Sequence, residues 1–184
     1  MRLSERQMKF ALKLLDRRGF EKTGEGEEHE DYHDIYSKST KPRSNETLLL
    51  RVFLGKEVIG VEILRNLVKA QEDGGYTRAV LIGGERYTYA ARREAKEQNV
   101  ELLHRRFLSI DLFMHVMVPE HDVIPEDEVE ELESQFGISR TQLPKIKAGD
   151  PAAKAIGARP GDVIRIVRES PTAGRHEIYR YCIA

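Results

Sequence analysis

Residues 47–54 read Thr-Leu-Leu-Leu-Arg-Val-Phe-Leu, a near-continuous apolar run without polar alternation. A strand of this kind needs cover on both faces, which a sheet layered between helices supplies. The surrounding sequence provides the helices. Ser4-Glu5-Arg6-Gln7 is a capping box, in which serine and glutamine satisfy amides exposed at a helix start. Met8, Ala11, Leu12 and Leu15 follow at i, i+3, i+4 and i+7 as one apolar stripe, and Gly19 is placed to end that helix.

Beyond it, residues 23–30 are glycine-rich and acidic and read as a solvated loop. Residues 32–37 read as a strand, and residues 38–44 as a basic loop containing Pro42. Val61, Leu64, Leu67 and Val68 mark a second helix closed by Gly74-Gly75. Residues 79–82 read as a buried strand, 87–98 as a third helix and 99–103 as another strand. Strands alternating with helices predict a small α/β layer with parallel pairing.

Near residues 109–119 the rhythm changes. Residues 125–136 form an acidic helical segment with Pro125 acceptable in its first turn. Leu143-Pro144-Lys145-Ile146 is a proline-limited extended segment. Asp150 and Pro151 are a cap and first position for a short helix that Gly157 ends. Residues 162–168 and 175–183 read as strands paired in a hairpin across residues 170–174. These features predict two domains, 1–110 and 111–184.

The charge balance excludes a global cationic field: 30 basic residues stand against 31 acidic ones, for a net charge of -1. Any contact with nucleic acid must come from a local cluster. The single cysteine, Cys182, cannot form an intrachain disulfide, which suits a reducing compartment. No uncharged apolar run reaches the roughly eighteen residues of a membrane span. The amino end is amphipathic and charged, unlike a signal segment. A soluble intracellular protein is expected, without a membrane partner.

Several constellations invite chemistry. His29-Glu30-Asp31-Tyr32-His33 spells the zincin pattern, which needs a packed helix to aim both imidazoles at one zinc ion. Here it follows Gly24 and Gly26 and runs into a strand, so a polar loop is expected and no metal site. Ile82-Gly83-Gly84 lacks the lysine and third glycine of phosphate-binding loops and reads as a turn. Lys38, Lys41 and Arg43, with Arg51 nearby, form a local basic group suited to phosphate contact without sequence readout. Arg92-Arg93 and Arg105-Arg106 read as solvated charges, and His104, His115, His121 and His176 are scattered.

The rhythm of the amino half resembles the restriction-endonuclease-like fold. That family holds magnesium with a strand aspartate and an acidic residue on the next strand, the latter followed two positions on by lysine. Asp34 stands in for the aspartate. On residues 49–52, Leu-Leu-Arg-Val, leucine and valine occupy the glutamate and lysine positions, so a magnesium nuclease is the weaker alternative.

The carboxy-terminal half carries a more specific resemblance. It runs Val118-Pro119-Glu120-His121-Asp122, Gln142-Leu143-Pro144-Lys145-Ile146, Gly149-Asp150-Pro151, Arg159-Pro160-Gly161-Asp162 and Ser170-Pro171-Thr172-Ala173-Gly174-Arg175, ending in Tyr179-Arg180. Over about seventy residues these ordered motifs resemble the assembly domain of the RNA polymerase fifth-subunit family, which has eukaryotic and archaeal members. The amino half is similar, more loosely, to the family's eukaryotic jaw domain, through residues 16–20 and 48–103; the archaeal members usually lack this domain.

The resemblance implies an α/β restriction-endonuclease-like jaw domain followed by a small mixed α/β assembly domain. It implies a non-catalytic subunit of DNA-directed RNA polymerase, cytoplasmic in an archaeon and nuclear in a eukaryote. Cofactors are not implied, since the metals belong to other chains. The expected partners are the largest subunit, other polymerase subunits and downstream double-stranded DNA. The alternative is a free-standing DNA-binding paralogue.

The residues expected to meet the partner are Pro144, Lys145, Arg165, Arg168, Thr172, Gly174, Arg175, Tyr179 and Arg180. Those expected near DNA are Lys38, Lys41 and Arg43. Alternation puts Ile164 and Arg165 on opposite hairpin faces, as it does Tyr179 and Arg180. One face is expected to pack on the short helix and the other to meet the partner.

Overall fold

A computed structural model describes residues 3–40, 45–54, 57–170 and 174–184. The chain divides into two units, Met1–Ile110 and Asp111–Ala184. The first opens with helix α1, Glu5–Arg17, whose capping box is formed: Ser4 Oγ accepts from the Gln7 amide at 3.2 Å, and Gln7 Oε1 from the Ser4 amide at 3.0 Å. The buried arc of α1 is Ala11, Leu14 and Leu15, so Leu14 joins the stripe expected from spacing while Met8 and Leu12 stay at its edge. Gly19, at φ 72°, takes the left-handed conformation that ends the helix.

The strands that follow are β1 (Phe20–Lys22), β2 (Glu27–Glu28), β3 (Tyr32–Ser39), β4 (Thr47–Phe53) and β5 (Val58–Ile59). Then come α2 (Val61–Asp73), β6 (Arg78–Ile82), β7 (Arg86–Tyr87), α3 (Tyr89–Glu97) and β8 (Glu101–Leu103). The main sheet runs β1-β3-β4-β6-β8, with β2 pairing β3. β4, β6 and β8 are parallel, whereas β1-β3 and β3-β4 are antiparallel. The parallel expectation therefore holds only beyond β4, where each connection contains a helix. The glycine-rich segment expected to be wholly loop contains β2, which only its partner reveals.

Leu48, Leu49, Leu50 and Val52 are fully buried, so β4 is covered on both faces as its composition requires. One face, with Leu49, Phe53, Ala79 and Leu81, packs with Leu64 and Leu67 of α2 and Ala95 of α3. At the end of α1, buried Arg18 forks onto Glu101 of β8 with bonds of 2.8 and 2.9 Å. Gly83 and Gly84 lie between β6 and β7, not directly against a helix start. A Cβ on Gly83 would come within 2.5 Å of Phe53 Cβ, so the glycine serves close packing.

The second unit contains β9 (Glu120–Val123), α4 (Glu126–Phe136), β10 (Lys145–Lys147), α5 (Pro151–Ala155), β11 (Val163–Ser170) and β12 (Gly174–Ile183). Its sheet runs β10-β12-β11-β9, with only the β10-β12 pair parallel. Asp150 caps α5 through the amides of Ala152 at 2.8 Å and Ala153 at 3.4 Å, with Pro151 in the first turn. Pro125 is the residue before α4, and three acidic side chains occupy the first turn, where the helix dipole favours them. Arg140 reaches back to α4, forking onto Glu126 and bonding Glu133 at 3.2 Å. Its hydrogen bonds hold both carboxyls below the usual glutamate range.

Alternation along β11 sorts the core of this unit into two layers. Ile164 and Ile166 pack with Ala153, Ile156 and Cys182, and burial pushes the Cys182 thiol up. Val163 packs on the opposite face with Ile124 and Val129 of α4. That face, expected to meet the partner, is partly covered because α4 must bury its own apolar side. Gly83→Ala should cost the amino unit about 1–3 kcal/mol through overpacking. A thermal melt of the variant that superposes on the parent would contradict this.

Candidate functional site

The pairing of β3 with β4 places Asp34 directly opposite Arg51, hence on the same face. Asp34 Oδ1 accepts from Arg51 Nε at 2.7 Å, and Oδ2 from Nη2 at 2.6 Å. Both side chains are 3% exposed. The Arg51 guanidinium also sits 4.0 Å from the centre of the Tyr32 ring. A planar fork matched to a carboxylate and stacked on an aromatic ring satisfies most of what burial would otherwise leave open.

This register corrects the motif frame. Leu50 and Val52 lie on the face opposite Asp34; the residues on its own face are Leu49, opposite Tyr36, and Arg51. The frame facing Asp34 is therefore Leu49-Leu50-Arg51, with leucine in place of the second carboxylate and arginine in place of lysine. A hard dication needs several oxygen ligands. Asp34 instead spends both oxygens on Arg51, and among the described residues no group of three His, Cys, Asp or Glu converges as a metal site.

His29 and His33 are not on a helix. His29 stacks on Tyr32 with ring centres 4.3 Å apart, and His33 lies within β3, buried and 5% exposed. His33 falls within the strand expected over residues 32–37, and its pairing carries the side chain inward. Among the described residues neither of its ring nitrogens has a hydrogen-bond partner, and burial holds its imidazole below the ordinary value of 6.5, against the opposing pull of Glu28. Of the basic group, Lys38 is exposed at the end of β3, and Lys41 and Arg43 lie outside the described residues. Arg51 is committed to Asp34 and is not free to meet phosphate.

The residues singled out on the second unit fall into three places. Arg168 and Arg180 line an open cleft of about 630 Å³ on the α5 face, together with His121, Ile146 and Ile166; Lys145 borders it, but its pairing opposite Tyr181 turns its side chain to the α4 face. Arg165 and Tyr179 lie on the α4 face. Arg165 approaches Glu128 at 3.5 Å and Asp122 at 3.9 Å, and Tyr179 packs on the Val129 cluster and donates to Glu177 at 3.3 Å. Burial, then Glu177, pushes the Tyr179 hydroxyl above its usual range.

Gly174 and Arg175 begin β12 at the hairpin tip. Gly174 has φ 67°, and Arg175 is exposed with a loose 4.0 Å approach to Glu177. Arg175 lines a second groove of about 770 Å³ with Val116, Met117, Val167 and Glu169. Pro144 is exposed, its carbonyl accepting from the Tyr181 amide at 2.9 Å, and Thr172 lies outside the described residues.

Sequence reasoning missed one feature of this surface. Met114, Val116 and Met117 are 74%, 94% and 80% exposed. The available signal was the apolar run of residues 112–118, broken only by His115 and fitting neither helical nor strand spacing. Apolar side chains grouped in this way on a surface mark a site of association.

Two measurements probe the closed carboxylate. Arg51→Leu strands a buried charge and should cost about 3–5 kcal/mol in urea unfolding, whereas Asp34→Leu combined with Arg51→Met should recover most of it. A loss below about 1 kcal/mol for the single variant would show that Asp34 is not sealed. His33 gives a pH signature. Above pH 6.5 both folded and unfolded chains keep it neutral. Below that value the unfolded chain binds the proton that the folded chain resists, so stability falls with pH until the lowered folded value is reached. The melting temperature should therefore drop less between pH 7.5 and 5.5 for His33→Leu than for the parent chain; an equal drop would exclude His33 as a contributor.

Comparison with known proteins divides the chain at the same place as its geometry. Residues 110–182 match the family described as RNA polymerase Rpb5, C-terminal domain, and residues 4–109 match the family described as restriction endonuclease. The DNA-directed RNA polymerase subunit Rpo5 of Thermococcus kodakarensis is 53% identical over 73 residues, which cover 40% of this chain and 89% of that protein. The Rpo5 of Archaeoglobus fulgidus is 52% identical over 69 residues, covering 38% of this chain and 91% of that protein. The structure of EndoMS in apo form aligns with 56% of this chain and 47% of its own at 15% identity and a TM-score of 0.40, too loosely to transfer any residue role. The amino-terminal unit is a restriction-endonuclease-like domain, and through its carboxy-terminal unit the chain belongs to the RNA polymerase Rpb5 family.

Proposed function

We propose that the chain is a non-catalytic subunit of a multisubunit DNA-directed RNA polymerase, docked on the largest subunit through its carboxy-terminal unit. The observation that carries this is the match to Rpo5 proteins at about half identity over nearly their whole length. The surface chemistry supports it. The second unit has a basic cleft on its α5 face and, near the hairpin tip, a groove with exposed Val116 and Met117. An aromatic-poor, two-unit chain of this size also gains burial by docking.

In this reading the amino-terminal unit helps to form the jaw around downstream DNA. The exposed Lys38 and its sequence neighbours Lys41 and Arg43 supply phosphate contacts that fall with salt. The nuclease alternative has lost its footing, because the Asp34 carboxylate is consumed by Arg51. The free-standing DNA-binding alternative draws on one fact. The matched Rpo5 proteins cover only 40% and 38% of this chain, so the restriction-endonuclease-like unit is additional to them.

Affinity purification of the full chain from its native cell discriminates the readings. The expected result is a stoichiometric polymerase containing the largest subunit. Arg168→Glu or Arg175→Glu should reduce the recovered polymerase at least several-fold while the melting temperature changes by only a few degrees. Recovery of the chain without any polymerase subunit would overturn the proposal. Within the same preparation, Lys38→Gln with Lys41→Gln and Arg43→Gln should weaken low-salt DNA affinity; unchanged affinity would remove the DNA contact.

A further inference from the structure

The α5-face cleft has a chemistry that goes beyond a generic docking surface. Its cations are not neutralised from within. Among the described residues, Arg168 has no ion pair, and Arg180 Nη1 donates to a backbone oxygen, that of Lys145, at 3.1 Å. The one carboxylate in the lining, Asp150, engages the Ala152 and Ala153 amides through Oδ1.

The register spaces these groups. Arg180 lies opposite Ile164, and Arg168 is four positions farther along β11 on the same face. Ile166, opposite Ile178, lies midway between them and lines the cleft with Ile146. At about 3.3 Å per residue the two arginines stand about 13 Å apart along the strand, with Ile166 at the base of the cleft between them, its β9 neighbour His121 beside it and half-buried Ile146 in the lining.

Resting on the polymerase reading, we infer that this cleft takes an extended acidic segment of a partner subunit. Two carboxylates four residues apart would meet the two arginines, and an apolar side chain midway would meet the isoleucines. The spacing follows from the period of extended chain, in which positions i, i+2 and i+4 share a face. Arginine forks suit carboxylates as bidentate partners. The isoleucine pair favours a peptide over a phosphate backbone, which has no side chain to place on Ile146 and Ile166.

The test uses the full chain with isoleucine methyls labelled for NMR. The probe is the capped peptide Glu-Ser-Leu-Ser-Glu, with Gln-Ser-Leu-Ser-Gln and a 12-base-pair DNA duplex as comparisons. The acidic peptide should shift the Ile146 and Ile166 methyls saturably. Replacing its glutamates, or making Arg168→Gln with Arg180→Gln in the protein, should weaken binding at least tenfold. The variant's methyl dispersion reports whether it is folded, and the single variants serve if the double one is not.

Absence of shifts with the acidic peptide, or equal shifts with the glutamine peptide, would overturn the inference. Stronger displacement of the same methyls by the duplex would reassign the cleft to phosphate and overturn it as well. Purification from the native cell separates this idea from the one it rests on. Loss of polymerase with the Arg168→Gln/Arg180→Gln chain supports both. Undiminished polymerase with that variant sinks the cleft assignment alone, and a parent chain recovered without polymerase sinks the subunit reading.

Discussion

Successive side chains of an extended strand point to opposite faces, and in each sheet of this protein that geometry decides which groups can act together. In β3 and β4 it joins Asp34 to Arg51 and Tyr32, and it sends Leu50 and Val52 away from them. In β11 it directs Ile164, Ile166 and Arg168 to the α5 face and Val163 and Arg165 to the α4 face. A shift of one residue in either register would exchange every one of these environments. The sealing of the carboxylate and the opening of the basic cleft both follow from pairing held in place by apolar burial.

The Asp34–Arg51 pair illustrates how a site can be closed without losing the fold around it. Magnesium would have required a second carboxylate beside Asp34, at a position filled by fully buried Leu49. A carboxylate at Asp34 could not stay unpaired in the interior. A guanidinium on the neighbouring strand offers two parallel hydrogen bonds and compensates its desolvation, with the Tyr32 ring over the cation. The pair thus compensates two buried charges and is not by itself a source of net stability.

The features legible in the sequence are those set by near neighbours. The Ser4–Gln7 capping box, the Asp150-Pro151 helix start and the buried character of residues 47–54 depend on residues a turn or a few positions away. Features set by distant partners were not legible. β2, β5, β7 and β9 are short strands defined by pairing, and their own residues carry little signal. Helical spacing located α1 and the burial of Ala11 and Leu15 but not of Leu14, because whether Leu12 or Leu14 is buried depends on where the helix meets its neighbours. Among the nine residues expected to meet a partner, sequence order could not separate the cleft bearing Arg168 and Arg180 from the α4 face bearing Arg165 and Tyr179. Family resemblance identified the segment, and only the register sorts its side chains.

A docked carboxy-terminal unit should be shielded on one side, and hydrogen–deuterium exchange of the full chain, alone and within purified polymerase, measures this most directly. Slower exchange is expected in residues 111–119 and 143–150, which border the exposed methionines and the basic cleft, with α4 little changed. Identical exchange of these segments in the free and assembled chain, or protection confined to α4, would contradict docking through this surface.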